Sequence, residues 1–322
     1  MGIGVLTSGG DCPGLNACLR AVVRTALTHH LKVFGIRRGY QGLITGEVIP
    51  LSSSSVSGMI NRGGTFLLTT RDKRFATPQG IQKACRTLEK FKMEGLIILG
   101  GNGSLKGAWE LAQKTPTAII GIPKSIDNDV GGTDFSIGFD TALNTAVEVI
   151  DKIRDTATSH ERLFLVETMG RKRGFLALAT ALAGGAEAVL LPEVVTDLAA
   201  LRKKFGEGRR HGKISSIVVV AEGDEAGGAF QIEKKLKKLS GYFDIRVSVI
   251  GHQQRGGAPS AFDRILAAQL GNAAVEALLR GERTKLIGIR RGEIHLSPLD
   301  TAWRVENPLD PSLLRLFELL SR

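Results

Sequence analysis

Two carboxylates two residues apart, Asp127 and Asp129, share the segment PKSIDND (Pro123–Asp129) with Lys124 and Ser125, directly after an apolar run beginning at Thr117. Acidic groups crowded at the end of an apolar run are costly unless a metal ion or a reacting proton uses them, so both are candidates for acid–base or metal chemistry. Glycine-rich loops end two other runs: SGGDCPGLN (Ser8–Asn16) and GGNGSLKG (Gly100–Gly107). Glycine in such a turn lets backbone N–H groups face a phosphate at a helix N-terminus, where the dipole favours negative charge. The first loop reads equally well as a strand-to-helix turn that needs glycine for geometry alone. The second is no Walker A loop, since no GK[ST] follows, and it is too long by a residue for the dinucleotide fingerprint; a general phosphate-binding turn remains.

Basic residues gather near later glycines. Arg162 lies in SHER, Arg171 in MGR, and Arg246 precedes GHQQRGG, which contains His252 and Arg255. Together they could clamp a sugar phosphate bidentately, although each alone reads as a surface ion-pair residue. No CxxC or Cys/His cluster with metal-ligand spacing accompanies them, and Cys12, Cys18 and Cys85 are too scattered for a disulfide framework.

These loops need elements to hold them. Apolar, β-branched runs start at Ile3, Lys32, Gly95, Thr117, Arg162, Ala188, Ser216 and Arg246, with helical patterns between them. Their nearly continuous hydrophobicity predicts strands covered on both faces, hence an α/β fold with mainly parallel, doubly wound sheets and ligands at the carboxyl ends of strands. Leu143, Val147, Ile150, Ile153 and Ala157 recur at helical spacing, and a second helix is predicted from Pro259 or Ser260 to about Leu279, with Phe262, Ile265, Leu266, Leu270 and Ala274 as its apolar stripe. At 322 residues the chain is long for one core, so two lobes are expected. No uninterrupted apolar run approaches the ~18 residues of a membrane span, and the start lacks a signal-peptide pattern, so a cytoplasmic protein is expected. The formal net charge of +11 points to anionic partners. Nucleic acid is not among those expected, because no helix-turn-helix, zinc or RNP pattern occurs and the basic runs Arg202–Lys213 and Lys234–Lys238 read as solvated helix faces.

Taken in order, TSGGDCPGLNA, GYQG, MINRGGTFLLTTR, GGNGS, PKSIDND, SHER, ETMGR, AEG and GHQQRGG resemble the 6-phosphofructokinases from Thr7 to Gly257. The resemblance implies two doubly wound lobes with a cleft between them: a donor lobe from 1–138 and 251–301, and a fructose 6-phosphate lobe from 139–250 and 302–322. It implies phosphoryl transfer from ATP to the 1-hydroxyl of fructose 6-phosphate, with Mg²⁺, usually in homotetramers. Asp127 would be the general base, with Gly10, Arg71, Ser125 and Arg171 around the phosphoryl group. Arg162, Met169, Gly170, Glu222, Arg246, His252 and Arg255 would bind fructose 6-phosphate. Gly10, Tyr40, Arg71, Gly101, Asn102, Gly103, Ser104, Gly107 and Lys124 would line the donor site, Tyr40 lying against the base. Asp129 would serve the metal, as would Asn102, weakly. Arg20, Arg24, Arg154, Glu187 and Lys213 match a site for nucleotide or phosphoenolpyruvate effectors.

The sequence also departs from that pattern. Asn102 stands where the family has a magnesium carboxylate, which predicts reduced metal affinity and admits a weakly active regulatory paralogue. Gly103 matches ATP users, whereas Lys124 matches pyrophosphate users. ATP is therefore the expected donor and pyrophosphate the alternative.

Overall fold

A computed structural model describes residues 1–211, 215–239 and 244–321. The chain divides into one unit of Met1–Thr141 with Arg255–Asn307 and another of Ala142–Gln254 with Pro308–Arg322. Their elements, in chain order, are β1 (Gly2–Thr7), α1 (Leu15–Thr28), β2 (Lys32–Ile36), α2 (Tyr40–Thr45), β3 (Val48–Leu51), α3 (Pro78–Lys90), β4 (Met93–Gly100), α4 (Asn102–Ala112) and β5 (Ala118–Pro123). Then come α5 (Phe139–Ser159), β6 (Leu163–Thr168), α6 (Phe175–Ala183), β7 (Ala188–Leu190), α7 (Leu198–Arg210), β8 (Ser216–Ala221), α8 (Ala229–Leu239) and β9 (Ile245–Val249). The chain ends with α9 (Ala261–Leu279), β10 (Lys285–Arg290), β11 (Glu293–Pro298), α10 (Thr301–Arg304) and α11 (Pro311–Leu320).

The first unit holds a seven-stranded sheet ordered β11-β10-β5-β4-β1-β2-β3. Its central strands are parallel, and every residue of β1 and β5 is buried, as the unbroken apolar runs predict for strands covered on both faces. Register brings their carboxyl ends together: Thr7 pairs with Leu99, Leu99 with Ile122, and Gly100 with Pro123. The SGGD, GGNGS and PKSIDND loops are thereby neighbours. The second unit holds a parallel sheet ordered β7-β8-β6-β9, in which Thr168 pairs with Ala221 and Glu167 with Val249. One face packs on α5, α6 and α11 through Ile150, Ala177, Ala181 and Phe317, and the other on α7 and α8 through Leu201, Phe205, Ile232 and Leu236.

The eight predicted runs form β1, β2 and β4 to β9. The strands β3, β10 and β11 were not anticipated. β3 is a short antiparallel edge containing Pro50, and β11 is an antiparallel edge whose first residues are exposed, so neither carries a continuous apolar run. β10 and β11 join through Arg291 and Gly292 at φ 53° and 83°, the two-residue turn that suits a hairpin's twist. The predicted stripe of α9 needs correction. Leu266, Leu270 and Ala274 are buried, but Phe262 and Ile265 are 41% and 60% exposed, because that face points away from α1 and Phe262 instead meets Phe135 edge to face. The described parts of the two basic runs lie mostly on exposed faces of α7 and α8. Among the described residues no helix is long and apolar enough to cross a membrane.

A buried carboxylate fixes where α5 begins. Asp263, fully buried, accepts hydrogen bonds from Gly138 N at 2.8 Å, Thr141 N at 2.9 Å and Thr141 Oγ1 at 2.5 Å. Burial pushes its pKa up, and these donors oppose that shift. Asp263→Ala would strand the helix-start N–H groups and should lower the unfolding free energy by about 3 kcal/mol in a urea titration. A loss below about 0.5 kcal/mol would show that the start of α5 does not depend on this side chain.

Candidate active site

In the first unit the backbone before Asp127 is anchored to a neighbouring segment: Ser125 N donates to Ile137 O at 3.1 Å, and Ile137 N donates to Pro123 O at 3.2 Å. Ser125 Oγ donates to Asp129 Oδ1 at 2.9 Å and accepts from Asp127 N at 3.2 Å. One hydroxyl thus ties both carboxylate-bearing residues into a single turn. Asp127 is 5% exposed, and Asp129 is half-buried. Between them Asn128 sits at φ 51°, a left-handed conformation that Asn tolerates better than most residues. Its Oδ1 accepts from Ser136 N at 2.7 Å and its Nδ2 donates to Asp134 O at 3.0 Å.

The glycine loops close in on this turn. Gly9, at φ 89°, is the conformation that the SGGD turn requires. Its carbonyl accepts from Thr69 Oγ1 at 2.8 Å, and Ser104 Oγ donates to Ser8 Oγ at 3.0 Å. Lys124, 4% exposed, donates through Nζ to Gly10 O, and a Cβ at Gly10 would lie 3.4 Å from Arg255 Nη1. An ammonium and a guanidinium therefore flank the first loop, with Asp127 and Asp129 at the end of the neighbouring strand. Gly101 precedes α4, and Asn102, its first residue, donates through Nδ2 to Asp129 O and to Asp129 Oδ2, both at 3.1 Å. A side chain at Gly103 would meet nothing within 4 Å, leaving space beside the loop. Arg71 is exposed.

Tyr40 lies differently from the expectation that it would rest against a base. Its ring stacks on Phe75 with centroids 3.7 Å apart and planes 11° apart, and its hydroxyl donates to Ser104 O at 2.5 Å. Only 7% exposed, it acts as a brace for the GGNGS loop, and burial pushes its phenol up. Gly39 at φ 59° permits this placement, because a Cβ there would stand 2.6 Å from Thr7 O. Gly107 packs against both rings, since its Cβ would stand 3.0 Å from Phe75 and 3.4 Å from Tyr40. Burial raises the Cys12 thiol to about 12, so it stays protonated beside the loop.

In the second unit the structure divides the predicted sugar-phosphate residues: Met169, Gly170, Glu222 and His252 follow the carboxyl ends of β6, β8 and β9, whereas Arg162 and Arg246 stand at the amino ends of β6 and β9. Glu222 Oε1 accepts from Gly170 N at 3.3 Å and Arg171 N at 2.8 Å, holding a turn in which Gly170 and Arg171 adopt φ 146° and 53°. Met169 is buried, and its N donates to Gln254 Oε1 at 2.8 Å. Arg162 Nε and Arg246 Nη2 both reach Asp244 Oδ2, at 2.7 and 3.1 Å. The Arg162 hydrogen bond, helped by the charge of Arg246, holds the Asp244 carboxyl below the usual range. His252 is exposed on the turn after β9. Among the effector candidates, Arg154 donates to Gly184 O at 2.6 Å and Gly185 O at 2.8 Å and lies 3.8 Å from Glu187, whose Oε2 accepts from Ile217 N. Arg20 and Arg24 stand one turn apart on α1 in the first unit, and Lys213 lies outside the described residues.

Sequence reading overlooked four positioning residues: Asn16, Asn128, Asp244 and Gln254. Asn16 ties the first loop to the chain around Gly63, donating to Arg62 O and Gly63 O and accepting from Phe66 N. Three of the four sit inside the quoted motifs, where an amide among glycines or carboxylates was the available signal.

The arrangement is that of a phosphate-handling α/β protein, with glycine loops, cations and carboxylates collected at the ends of parallel strands. The family model for phosphofructokinase matches residues 2–278, and the chain belongs to that family. It is 49% identical over 319 residues to ATP-dependent 6-phosphofructokinase 2 of Bacteroides thetaiotaomicron, covering 99% of this chain and 98% of that one. It is 49% identical, over 99% of both chains, to ATP-dependent 6-phosphofructokinase 1 of Thermus thermophilus. Among solved structures, phosphofructokinase from Saccharomyces cerevisiae aligns with a TM-score of 0.89 and 32% identity, covering 99% of this chain and 50% of that longer one. A pyrophosphate-dependent phosphofructokinase from Marinobacter aquaeolei aligns with a TM-score of 0.85 and 25% identity, covering 96% and 85%.

Asn128→Ala would remove two hydrogen bonds and place a less tolerant residue at φ 51°. We expect a loss of about 3 kcal/mol in chemical denaturation, with Asn128→Gly recovering only the part due to backbone strain. Equal stability of Asn128→Ala and the parent would show that Asn128 does not hold the turn.

Proposed function

We propose that this chain transfers the terminal phosphoryl group of ATP to the 1-hydroxyl of D-fructose 6-phosphate, giving fructose 1,6-bisphosphate as a step of glycolysis. The observation that carries this reading is the 49% identity, across nearly all of both chains, to proteins named ATP-dependent 6-phosphofructokinase. The open space at Gly103 favours ATP over pyrophosphate, because a side chain there would fill the room left for a nucleotide's inner phosphate.

In this reading Asp127 takes the proton from the 1-hydroxyl as that oxygen attacks the terminal phosphorus, while Ser125 and the backbone around it keep the carboxylate aimed. Gly10, Arg71, Lys124 and Arg171 spread the charge of the transferring group. His252 and Arg255 take the 6-phosphate, Arg162 and Arg246, at the other end of the sheet, reach the 6-phosphate in a neighbouring subunit's site, and Met169, Gly170 and Glu222 take the sugar, with Glu222 also fixing the turn that carries Arg171. The residues around Asp129 fit Mg²⁺: its carboxylate and the buried, unpartnered Asn102 Oδ1 are the oxygen donors a hard cation uses when it also keeps waters and shares phosphates. When bound there, Mg²⁺ neutralises charge on the donor phosphates. We further infer a homotetramer in the cytoplasm with a nucleotide or phosphoenolpyruvate effector at Arg20, Arg24, Arg154, Glu187 and Lys213. The resemblance supports these assignments, and the free thiols of Cys12, Cys18 and Cys85 suit a reducing compartment.

The test is product formation from fructose 6-phosphate and Mg²⁺ with ATP or pyrophosphate at equal concentration. Turnover with ATP is expected; turnover with pyrophosphate alone would reverse the donor assignment. No turnover in a folded sample that binds fructose 6-phosphate would leave a regulatory paralogue. Asp127→Ser should lower kcat by roughly 10²- to 10⁴-fold with little change in KM for the sugar phosphate, and an unchanged kcat would remove Asp127 from the role of base.

A further inference from the structure

The chain that leaves Asp129 is buried without being helix or strand. Val130, Gly131, Gly132 and Thr133 are all buried, so their N–H and C=O groups need partners inside the protein. The later part of the same unit supplies them. Gly131 N donates to Ala302 O at 2.9 Å, and Asp134 N donates to Ile289 O at 2.7 Å. Thr133 Oγ1 accepts from Ile289 N at 3.0 Å, and Asp134 Oδ2 accepts from Arg291 N at 2.6 Å. Val130 O and Thr133 O both accept from Asn307 Nδ2, each at 3.0 Å. The packing leaves no slack on that side: a Cβ at Gly131 would collide with the carbonyls of Thr301 and Val305, and one at Gly288 would stand 2.6 Å from Gly132 O.

Asn307 spends its amide nitrogen on two carbonyls, which fixes its orientation, since the opposite one would set its oxygen against both. Two carbonyl dipoles aimed at one point repel each other, and the amide offsets that repulsion. Pro308 disfavours a helical backbone at Asn307, so the side chain is presented from a restricted stretch of chain. Ser125 and Asn128 hold the turn that carries Asp127 and Asp129 from within. Asn307 holds it from the exit side, beginning one residue past Asp129. A displacement of about 1 Å at a reacting group costs up to roughly 100-fold in rate, so a hold away from the chemistry can govern kcat. We propose that Asn307 is a positioning residue for the reaction: by fixing the carbonyls of Val130 and Thr133 it keeps Asp127 and its turn in the geometry for proton transfer, although its own partners are main-chain oxygens. This role rests on Asp127 acting as the base of the proposed phosphoryl transfer.

Asn307→Ala and Asn307→Asp in the full chain test it, with kinetics read well below the Tm of each variant. Asn307→Ala should lower kcat roughly 10- to 100-fold and change KM for fructose 6-phosphate by less than about twofold, because the turn loses its aim while the sugar-phosphate residues of the second unit are untouched. Asn307→Asp should fall at least as far, since a carboxylate of the same shape sets an acceptor oxygen against both carbonyls. Hydrogen exchange followed by mass spectrometry, without substrates, should be faster in Asn307→Ala over residues 127–135 and parental elsewhere. An unchanged kcat in folded Asn307→Ala would overturn the proposal, as would a parental kcat in Asn307→Asp. A loss of kcat with faster exchange across the whole first unit would show a role in stability alone and would overturn it too. Should the parent form no fructose 1,6-bisphosphate, the proposed reaction fails and exchange decides the hold: acceleration confined to residues 127–135 supports Asn307 as the anchor of this turn, and unchanged exchange removes it.

Discussion

Parallel register is the constraint on which the rest depends. Leu99 pairs with Thr7 on one side and Ile122 on the other, so β1, β4 and β5 end level. Loops separated by about ninety residues of chain become neighbours without needing contacts of their own to find one another. Sheet hydrogen bonds and the burial of β1 and β5 hold that alignment, leaving the loop side chains to be chosen for chemistry. The parallel pairing of β6 with β8 and β9 does the same in the second unit for Met169, Glu222 and the turn beginning at Gly251.

Within this frame, short polar side chains hold the functional ones. Ser125 links Asp127 to Asp129, Asn128 anchors the turn between them, and Glu222 holds the N–H groups of Gly170 and Arg171. Each bond is modest in net energy, but a buried group deprived of its partner loses more, so these contacts favour one loop geometry over its neighbours. Tyr40 belongs with these braces. Its hydroxyl holds Ser104 O and its ring is covered by Phe75, so its fixed position is set by the protein itself.

How much of this the sequence disclosed follows from the kind of physical signal each part leaves. Strands buried on both faces write unbroken apolar runs, which made β1, β4, β5, β6 and β8 visible. Edge strands write weaker patterns: β3 carries a proline and β11 is mostly exposed, so both escaped. Periodicity locates an amphipathic helix but does not say which side a neighbour covers, so Phe262 and Ile265 were assigned to a face that is exposed. Residues that do chemistry stood out through unusual company, as carboxylates beside lysine or arginines beside glycine. Residues that hold them, such as Asn16 and Gln254, have no periodic signature, because their partners lie 46 and 85 residues away.

Asn102 illustrates why a residue type and its geometry must be read together. As a letter in GGNGS it reads as a missing charge, and the inference ends at weakened metal binding. In place it is a donor to Asp129 that no ionised carboxylate could be, since an aspartate has only acceptor oxygens to offer. Substituting one isosteric group for another therefore changes the sign of the Asn102–Asp129 interaction, from repulsion that a cation must offset to attraction that needs none. The same atoms in the same positions then support a site that is organised before its ligands arrive, and preorganisation of this kind lets electrostatic groups act without paying to rearrange.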